Sequence, residues 1–90
     1  MAFDWDSAKN RSNQSKHSVD FELASEVFDD PHASTAFDSE VDGELRWHTT
    51  GLVAGVLLLL VVSTERETQG ESVTRIISDQ KSDSTGKEII

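Results

Sequence analysis

The 90-residue chain lacks cysteine, a long apolar run and a recognisable signal peptide. It contains no cysteine, which excludes disulfide bonds and thiolate metal sites. Its one uninterrupted apolar run, at Gly55–Ser63, is too short for a membrane-spanning helix, which needs about 20 apolar residues. The N-terminal residues show neither the basic nor the apolar region of a signal peptide, so we expect a cytoplasmic protein.

Positive charge is also scarce. Eight Lys and Arg residues stand against 17 Asp and Glu residues, for a net charge of −9. A field of this sign opposes nucleic-acid binding, and we expect no direct binding to DNA. One stretch without Lys or Arg holds eight of the acids: Glu22, Glu26, Asp29, Asp30, Asp38, Glu40, Asp42 and Glu44. Such a surface is either an ordinary solvated face or a docking surface for a basic partner.

The apolar run organises the rest of the chain. It is rich in Val and Leu, lacks helical periodicity and is bracketed by Gly51 and Gly55. This pattern predicts a strand over Val56–Ser63 that is covered on both faces or nearly so, with a buried helix as the alternative. A single domain of residues 1–90 is expected, small enough to be only marginally stable unless a partner subunit braces it.

Two helices are predicted before this strand. Asp6 is the predicted N-cap of a helix over Ser7–Lys16, and Asp20 that of a helix over Phe21–Phe28. Ahead of them, Phe3–Trp5 is either an edge strand or an extended lead-in. Four residues share one face of the first helix, which is either a solvated or a functional face: Lys9, Asn13, Lys16 and His17.

The remaining elements are predicted to form an antiparallel meander around the apolar strand. Arg46 and Arg75 interrupt these strands, which costs stability unless each guanidinium reaches a carboxylate or the sheet rim. His32 and His48 have no partner at ligand spacing, so no metal site is expected. The predicted strands are 33–38, 44–51 and 72–78, with a polar loop at 38–43, a tight turn near 52–55, a longer turn at 65–71 and a weakly structured tail over 79–90.

An ordered set of short motifs spans residues 3 to 78. They are Phe3-Asp-Trp-Asp6, Lys9, Asn13-x-x-Lys16-His17, Val19-x-Phe21-Glu22-x-Ala24, Val27-Phe-Asp-Asp-Pro31, Glu44-x-Arg46, Val61-Val-x-Thr-Glu-Arg66 and Arg75-Ile-Ile-Ser78. In this order and spacing they resemble the BrnT family, small toxins of type II toxin–antitoxin modules.

The resemblance implies a RelE-like α+β fold, with two N-terminal helices packed on a small antiparallel sheet and a short or frayed C-terminal segment. It also implies a metal-independent ribonuclease that cleaves messenger RNA without a cofactor. The implied partner is a BrnA-like antitoxin with a ribbon-helix-helix DNA-binding domain, and a homodimer within that complex is possible.

Ribonuclease chemistry without a metal needs a base for the 2′-hydroxyl, cations for the transition state and an acid for the leaving 5′-oxygen. The resemblance assigns these catalytic tasks to His17, Lys16, Arg46, Arg66 and Arg75, with His17 as a proton-transfer group, and RNA binding to Lys9 and Lys81. Two positions depart from the family's usual Ala-Arg, namely Asp79 and Gln80. The alternative hypothesis is therefore a catalytically weakened or inactive BrnT-like module that only binds an antitoxin or regulatory partner.

Overall fold

The computed structural model describes residues 1–82, which form five strands, two α-helices and one 3-10 helix. In chain order these are β1 (Ala2–Asp4), α1 (Ser7–His17), α2 (Phe21–Ser25), the 3-10 helix (Glu26–Asp29), β2 (Ser34–Val41), β3 (Glu44–Val53), β4 (Leu57–Thr68) and β5 (Glu71–Lys81). No helix in this part of the chain is long and apolar enough to cross a membrane.

Both α-helices begin at the aspartates predicted to cap them. The Asp6 carboxylate accepts hydrogen bonds from the first-turn amides of Ala8 and Lys9, at 2.8 and 3.1 Å. The Asp20 carboxylate accepts one from the Leu23 amide at 2.8 Å. Each bond satisfies a backbone donor that has no partner within the helix, so these caps determine where the helices start.

The strands form one sheet in the order β1-β5-β4-β3-β2. β4 lies at its centre, and its apolar residues confirm the prediction of a strand in this region. Neighbouring strands are antiparallel except for β1, which pairs in parallel with residues 73–75 of β5.

The predicted fold class is wrong in its sheet and in the placing of its helices. The sheet is mixed, because the N-terminal segment is a strand, and the helices lie within the connection from β1 to β2. The physical reason is the apolar character of that segment. The Phe3 ring packs 5.3 Å from that of Phe28, and the Trp5 ring 6.1 Å from that of Phe21, which draws the segment onto the sheet edge.

The core lies between the helices and one face of the sheet. Phe21, Ala24 and Val27 on the helical side pack against Leu59 and other buried strand residues. Burial alternates along β4, so its intervening apolar side chains on the other face are only partly buried. The expectation that both faces are covered is therefore not met by residues 1–82, whose helices lie on one face. The half-buried side chains are Leu58, Leu60 and Val62.

The hairpins are tighter than predicted. β4 continues to Thr68 and turns at Gln69-Gly70, where the long turn at 65–71 was expected, and β2 extends to Val41 through most of the expected loop. Gln69 and Gly70 both have positive φ angles, 53° and 81°. Two-residue turns of this kind match the twist of the paired strands and extend the ladder to its end.

Two further boundaries differ from the sequence prediction. α2 ends at Ser25 and the chain continues as the 3-10 helix to Asp29, where one helix to Phe28 was expected. Strand β5 extends to Lys81, so residues 79–81 belong to the sheet instead of a frayed segment. The rest of the expected tail, residues 83–90, lies outside the described residues.

Candidate functional site

One face of α1 forms a wall of a surface cleft of about 350 Å³. The prediction that Lys9, Asn13, Lys16 and His17 share a face is confirmed, because all four line this cleft. The opposite wall belongs to β5, so the cleft joins the helix to the sheet. Its lining residues are Lys9, Ser12, Asn13, Lys16, His17, Ile77 and Ser78.

Polar contacts hold α1 in place. Ala8 is the only apolar residue in this helix, and Asn13 is its only buried one. Asn13 Nδ2 donates to Oδ1 of Asp79, and Asn13 Oδ1 accepts from the Asp79 backbone N–H at 3.2 Å. Three residues before Asn13, Asn10 Oδ1 accepts a hydrogen bond from the Phe21 N–H at 2.8 Å. Side-chain hydrogen bonds therefore anchor α1 to the rest of the protein, whereas most surface helices are anchored by an apolar stripe.

These bonds also place α1 along the edge of the sheet. β1 pairs only with residues 73–75, so the later residues of β5 have no strand on that side. The Asp79 N–H points from this edge to Asn13. α1 thus covers the part of the edge that β1 leaves open, which is a common way to protect an edge strand.

A β-bulge brings Asp79 to the helical side. β5 has an extra residue, Ile77, opposite the Val62–Ser63 step of β4. One extra residue reverses the side to which later side chains point. Asp79 consequently pairs with Val61, a core residue, and is only 2% exposed.

The Asp79 carboxyl is in an unusual environment for an acid. Burial raises the pKa of Asp79 to about 7, the hydrogen bond from Asn13 acts in the opposite direction, and the Asp20 carboxylate raises it further. Its Oδ2 atom is buried without a hydrogen-bond partner among the described residues. A buried acid with one unpaired oxygen favours its neutral form.

The three arginines with predicted roles lie on the other face of the sheet. Arg75 pairs across the strands with Thr64 and points away from the core side chain of its neighbour, Ile76. Arg46 faces the same way. Its neighbour Trp47 pairs with Ser63, which lies opposite the core residue Ile76, and side chains alternate along a strand.

Each arginine reaches a carboxylate. Arg66 Nη2 lies 3.0 Å from Glu44 Oε2, and Arg46 Nε lies 3.6 Å from Glu44 Oε1. The hydrogen bond from Arg66 holds the pKa of Glu44 below its ordinary value. Arg75 Nη1 lies 3.2 Å from Asp4 Oδ1. We predicted that an arginine in an apolar strand must reach a carboxylate or the sheet rim, and Arg75 meets this condition. Arg46 has the longer ion pair, and its Nε is buried without a hydrogen-bond partner among the described residues.

The structure places the predicted site residues in two groups. Lys9, Lys16 and His17 meet in the cleft, whereas the arginines lie on the opposite sheet face. The backbone hydrogen bonds from Lys9 and Ala8 hold the pKa of the N-cap Asp6 below its usual value, and the charges of Lys9 and Arg75 contribute in the same direction. Lys81 belongs to neither group, because it ends β5 roughly 13 Å along the strand from Ile77.

Asn13 and Asp79 are the residues whose importance sequence reasoning missed. Asn13 was seen only as a member of a polar face, and Asp79 only as a departure from a family pattern. The available signal was the composition of α1, since a helix without large apolar residues needs a polar anchor. Within residues 1–82, no three His, Asp or Glu side chains are arranged to hold a metal ion.

The fold and the cleft define a small α+β protein with helices on one face of a single sheet and a cationic cleft at the sheet edge. The chain belongs to the family described as ribonuclease toxin, BrnT, of type II toxin–antitoxin system, whose model matches residues 5–85. The resemblance found in the sequence motifs is thereby confirmed.

Solved structures agree with this assignment at the level of the fold. The ribonuclease toxin BrnT of Brucella abortus is similar with a TM-score of 0.65 and 24% sequence identity, over 92% of this chain and 97% of that chain. No protein of curated function matches the chain significantly.

Proposed function

We propose that this toxin is a metal-independent endoribonuclease that acts on messenger RNA in the cytoplasm, with its proton-transfer chemistry in the cleft between α1 and β5. The observation that carries the proposal is the convergence of Lys9, Lys16 and His17 opposite β5. Family membership supplies the ribonuclease class, and the cleft is where this chain gathers suitable groups.

The three tasks of RNA cleavage map onto these groups. His17 takes the proton of the 2′-hydroxyl as the base and returns it to the leaving 5′-oxygen as the acid, since imidazole alone among side chains ordinarily titrates near neutral pH. The ammonium groups of Lys16 and Lys9 bind the phosphate and stabilise the charge that develops on it. Arg75, on β5 beside Asp4 of β1, adds a guanidinium fork from the other face of the sheet.

RNA can reach both groups of cations by crossing one edge of the sheet, where α1 lies on one side and Arg75 on the other. The helix covers the edge beyond residue 75, and Arg75 lies where β1 ends. A single strand that crosses this edge would contact the cleft first and then the face that holds Arg46 and Arg66. We assign Arg46 and Arg66 to the binding of flanking phosphates, for which they would exchange their contacts with Glu44 for contacts with the RNA backbone. Lys81, farther along β5, is also assigned to phosphate binding.

The proposed partner is a BrnA-like antitoxin that neutralises the toxin and supplies a ribbon-helix-helix domain for DNA. A net charge of −9 makes the toxin itself a poor ligand for DNA. The same charge favours a basic partner segment, and a homodimer of the toxin within the complex fits its small size.

Cleavage of a labelled messenger RNA by the purified chain tests this proposal. We expect activity that persists in EDTA. His17→Ala should lower the rate by about 10²-fold or more, as loss of a general acid or base does. Arg75→Ala should lower it by about 10²-fold, as loss of one charge-stabilising donor does.

Two matched controls come from the same chain. His32→Ala removes an exposed histidine outside the cleft, and Arg11→Ala removes an exposed arginine of α1 that does not line it. Both should retain wild-type rates. Equal losses in the controls and the site variants, or an activity abolished by EDTA, would refute the proposed site.

A non-catalytic antitoxin-binding module is the second candidate function. One argument for it is that all three arginines pair with carboxylates, which offset their positive charge. Another is that Asp79 and Gln80 stand where the family usually has Ala-Arg, so that an expected arginine is missing. It predicts a stable complex on co-expression with a BrnA-like protein, together with intact RNA in cells that express the toxin alone. Degraded RNA in those cells would exclude it.

A further inference from the structure

We propose that Asp79 is a positioning residue for the ribonuclease site: by holding Asn13, it orients α1 so that Lys16 and His17 face β5. This inference rests on the proposed function for its catalytic consequence, whereas the positioning of the helix can be measured by itself. Neither residue needs to touch RNA in this role.

The location of Asn13 on the helix is the first argument. Lys9 lies four residues before it, and Lys16 and His17 lie three and four residues after it, so Asn13 is at the centre of the face that lines the cleft. A rotation of α1 about its axis that breaks the Asn13 contacts would turn all three side chains away from β5.

The second argument is the lack of apolar packing on this helix. α1 has no large apolar residue, and an isolated helix of 11 residues is only marginally stable in water. Asn13 is tied to β5 twice, to the carboxylate and to the backbone N–H of Asp79, and its Nδ2 lies 3.4 Å from the Val19 carbonyl oxygen. Asn10 and the Asp6 cap hold the first half of the helix, and Asn13 is the residue that ties it to β5.

The third argument is the rigidity of the residue that holds Asn13. Asp79 is 2% exposed and paired with the core strand β4, and the bulge at Ile77 turns it toward α1. A side chain fixed in this way transmits the geometry of the sheet to the helix. Misplacement of a catalytic group by about 1 Å can cost about 10² in rate, so a contact of this kind is sufficient to control activity.

The test compares Asp79→Ala, which removes the acceptor, with Asp79→Asn, which keeps an acceptor oxygen for Asn13. Steady-state cleavage of RNA by Asp79→Ala should show kcat lowered by about tenfold or more, because His17 is displaced. KM should rise as well, because Lys9 and Lys16 turn with the same helix face. Asp79→Asn should restore kcat. Asn13→Ala, which removes the bonds to both the carboxylate and the backbone N–H of Asp79, should lower kcat at least as much, and the double variant with Asp79→Ala should lose no more than Asn13→Ala alone.

Val27→Ala is the control for a loss of stability alone. It truncates a buried core residue of the 3-10 helix, which contributes nothing to the cleft, and it should leave kcat unchanged at temperatures where the protein is folded. A kcat for Asp79→Ala equal to that of Val27→Ala would overturn the catalytic part of the inference.

Amide hydrogen exchange separates this inference from the proposed function. In Asp79→Ala the amides of α1 should exchange about tenfold faster or more while those of β4 keep their protection, because a single anchoring contact is lost. Unchanged protection of α1 would refute the positioning role. If the wild-type chain cleaves no RNA, the proposed function fails, and the exchange of α1 still decides whether Asp79 positions the helix.

Discussion

Replacing Asp79 by asparagine should make the protein more stable at neutral pH. In the folded chain the pKa of this carboxyl is raised from 3.8 to about 7, chiefly by burial. The folded state therefore binds the proton more tightly than the unfolded state. Asparagine has the size and neutrality of the protonated acid, and it keeps an acceptor for Asn13.

The sign and size follow from proton linkage. At pH values well below 3.8 the carboxyl is protonated in both states and its ionisation costs nothing. As the pH rises from about 4 to about 7 only the unfolded chain ionises, so the free energy of unfolding falls by about 1.4 kcal/mol per pH unit. With a difference of about 3 pKa units, the full loss is about 4 kcal/mol, and it stays constant above pH 8.

Urea unfolding followed by tryptophan fluorescence at pH 5 and pH 8 provides the measurement. Asp79→Asn should gain about 3 kcal/mol relative to wild type between these two pH values, because ionisation penalises only the wild-type chain. Asp42→Asn, at an exposed turn, is the control and should follow the wild-type pH dependence. If the curves for Asp79→Asn and wild type run parallel, Asp79 is not a buried acid and the linkage argument is wrong.

Three other substitutions test the fold. Leu59→Ala truncates a fully buried side chain of the central strand and should cost about 2–5 kcal/mol of stability, as measured by thermal or urea unfolding. Gly51→Ala should cost about 1–3 kcal/mol, because its new Cβ would lie 3.1 Å from Asp30 Oδ2 on the helical side; equal melting temperatures would contradict that packing. Asp20→Ala removes the bond to the Leu23 amide and should cost about 1 kcal/mol, with reduced helical circular dichroism.

The candidate site was predictable only in part. The helical face of Lys9, Asn13, Lys16 and His17 follows from spacing alone, because residues three and four apart on a helix are neighbours. The location of the arginines on the opposite face of the sheet does not follow from spacing. Spacing within a segment contains no information about which side of a sheet a distant segment will cover.

Local patterns in the sequence determined the central strand and the two helix caps. Each of these depends on residues that are near one another along the chain, so side-chain periodicity and capping chemistry are sufficient to predict it. The family was indicated by the resemblance of an ordered set of motifs over residues 3 to 78.

The tertiary structure alone decided the parallel pairing of β1, the bulge at Ile77 and the burial of Asp79. These depend on register between segments far apart in sequence, and one inserted residue reverses the direction of every side chain after it. Asp79 and Asn13 are 66 residues apart, and their contact exists only because that bulge turns an acid toward the one buried polar side chain of α1.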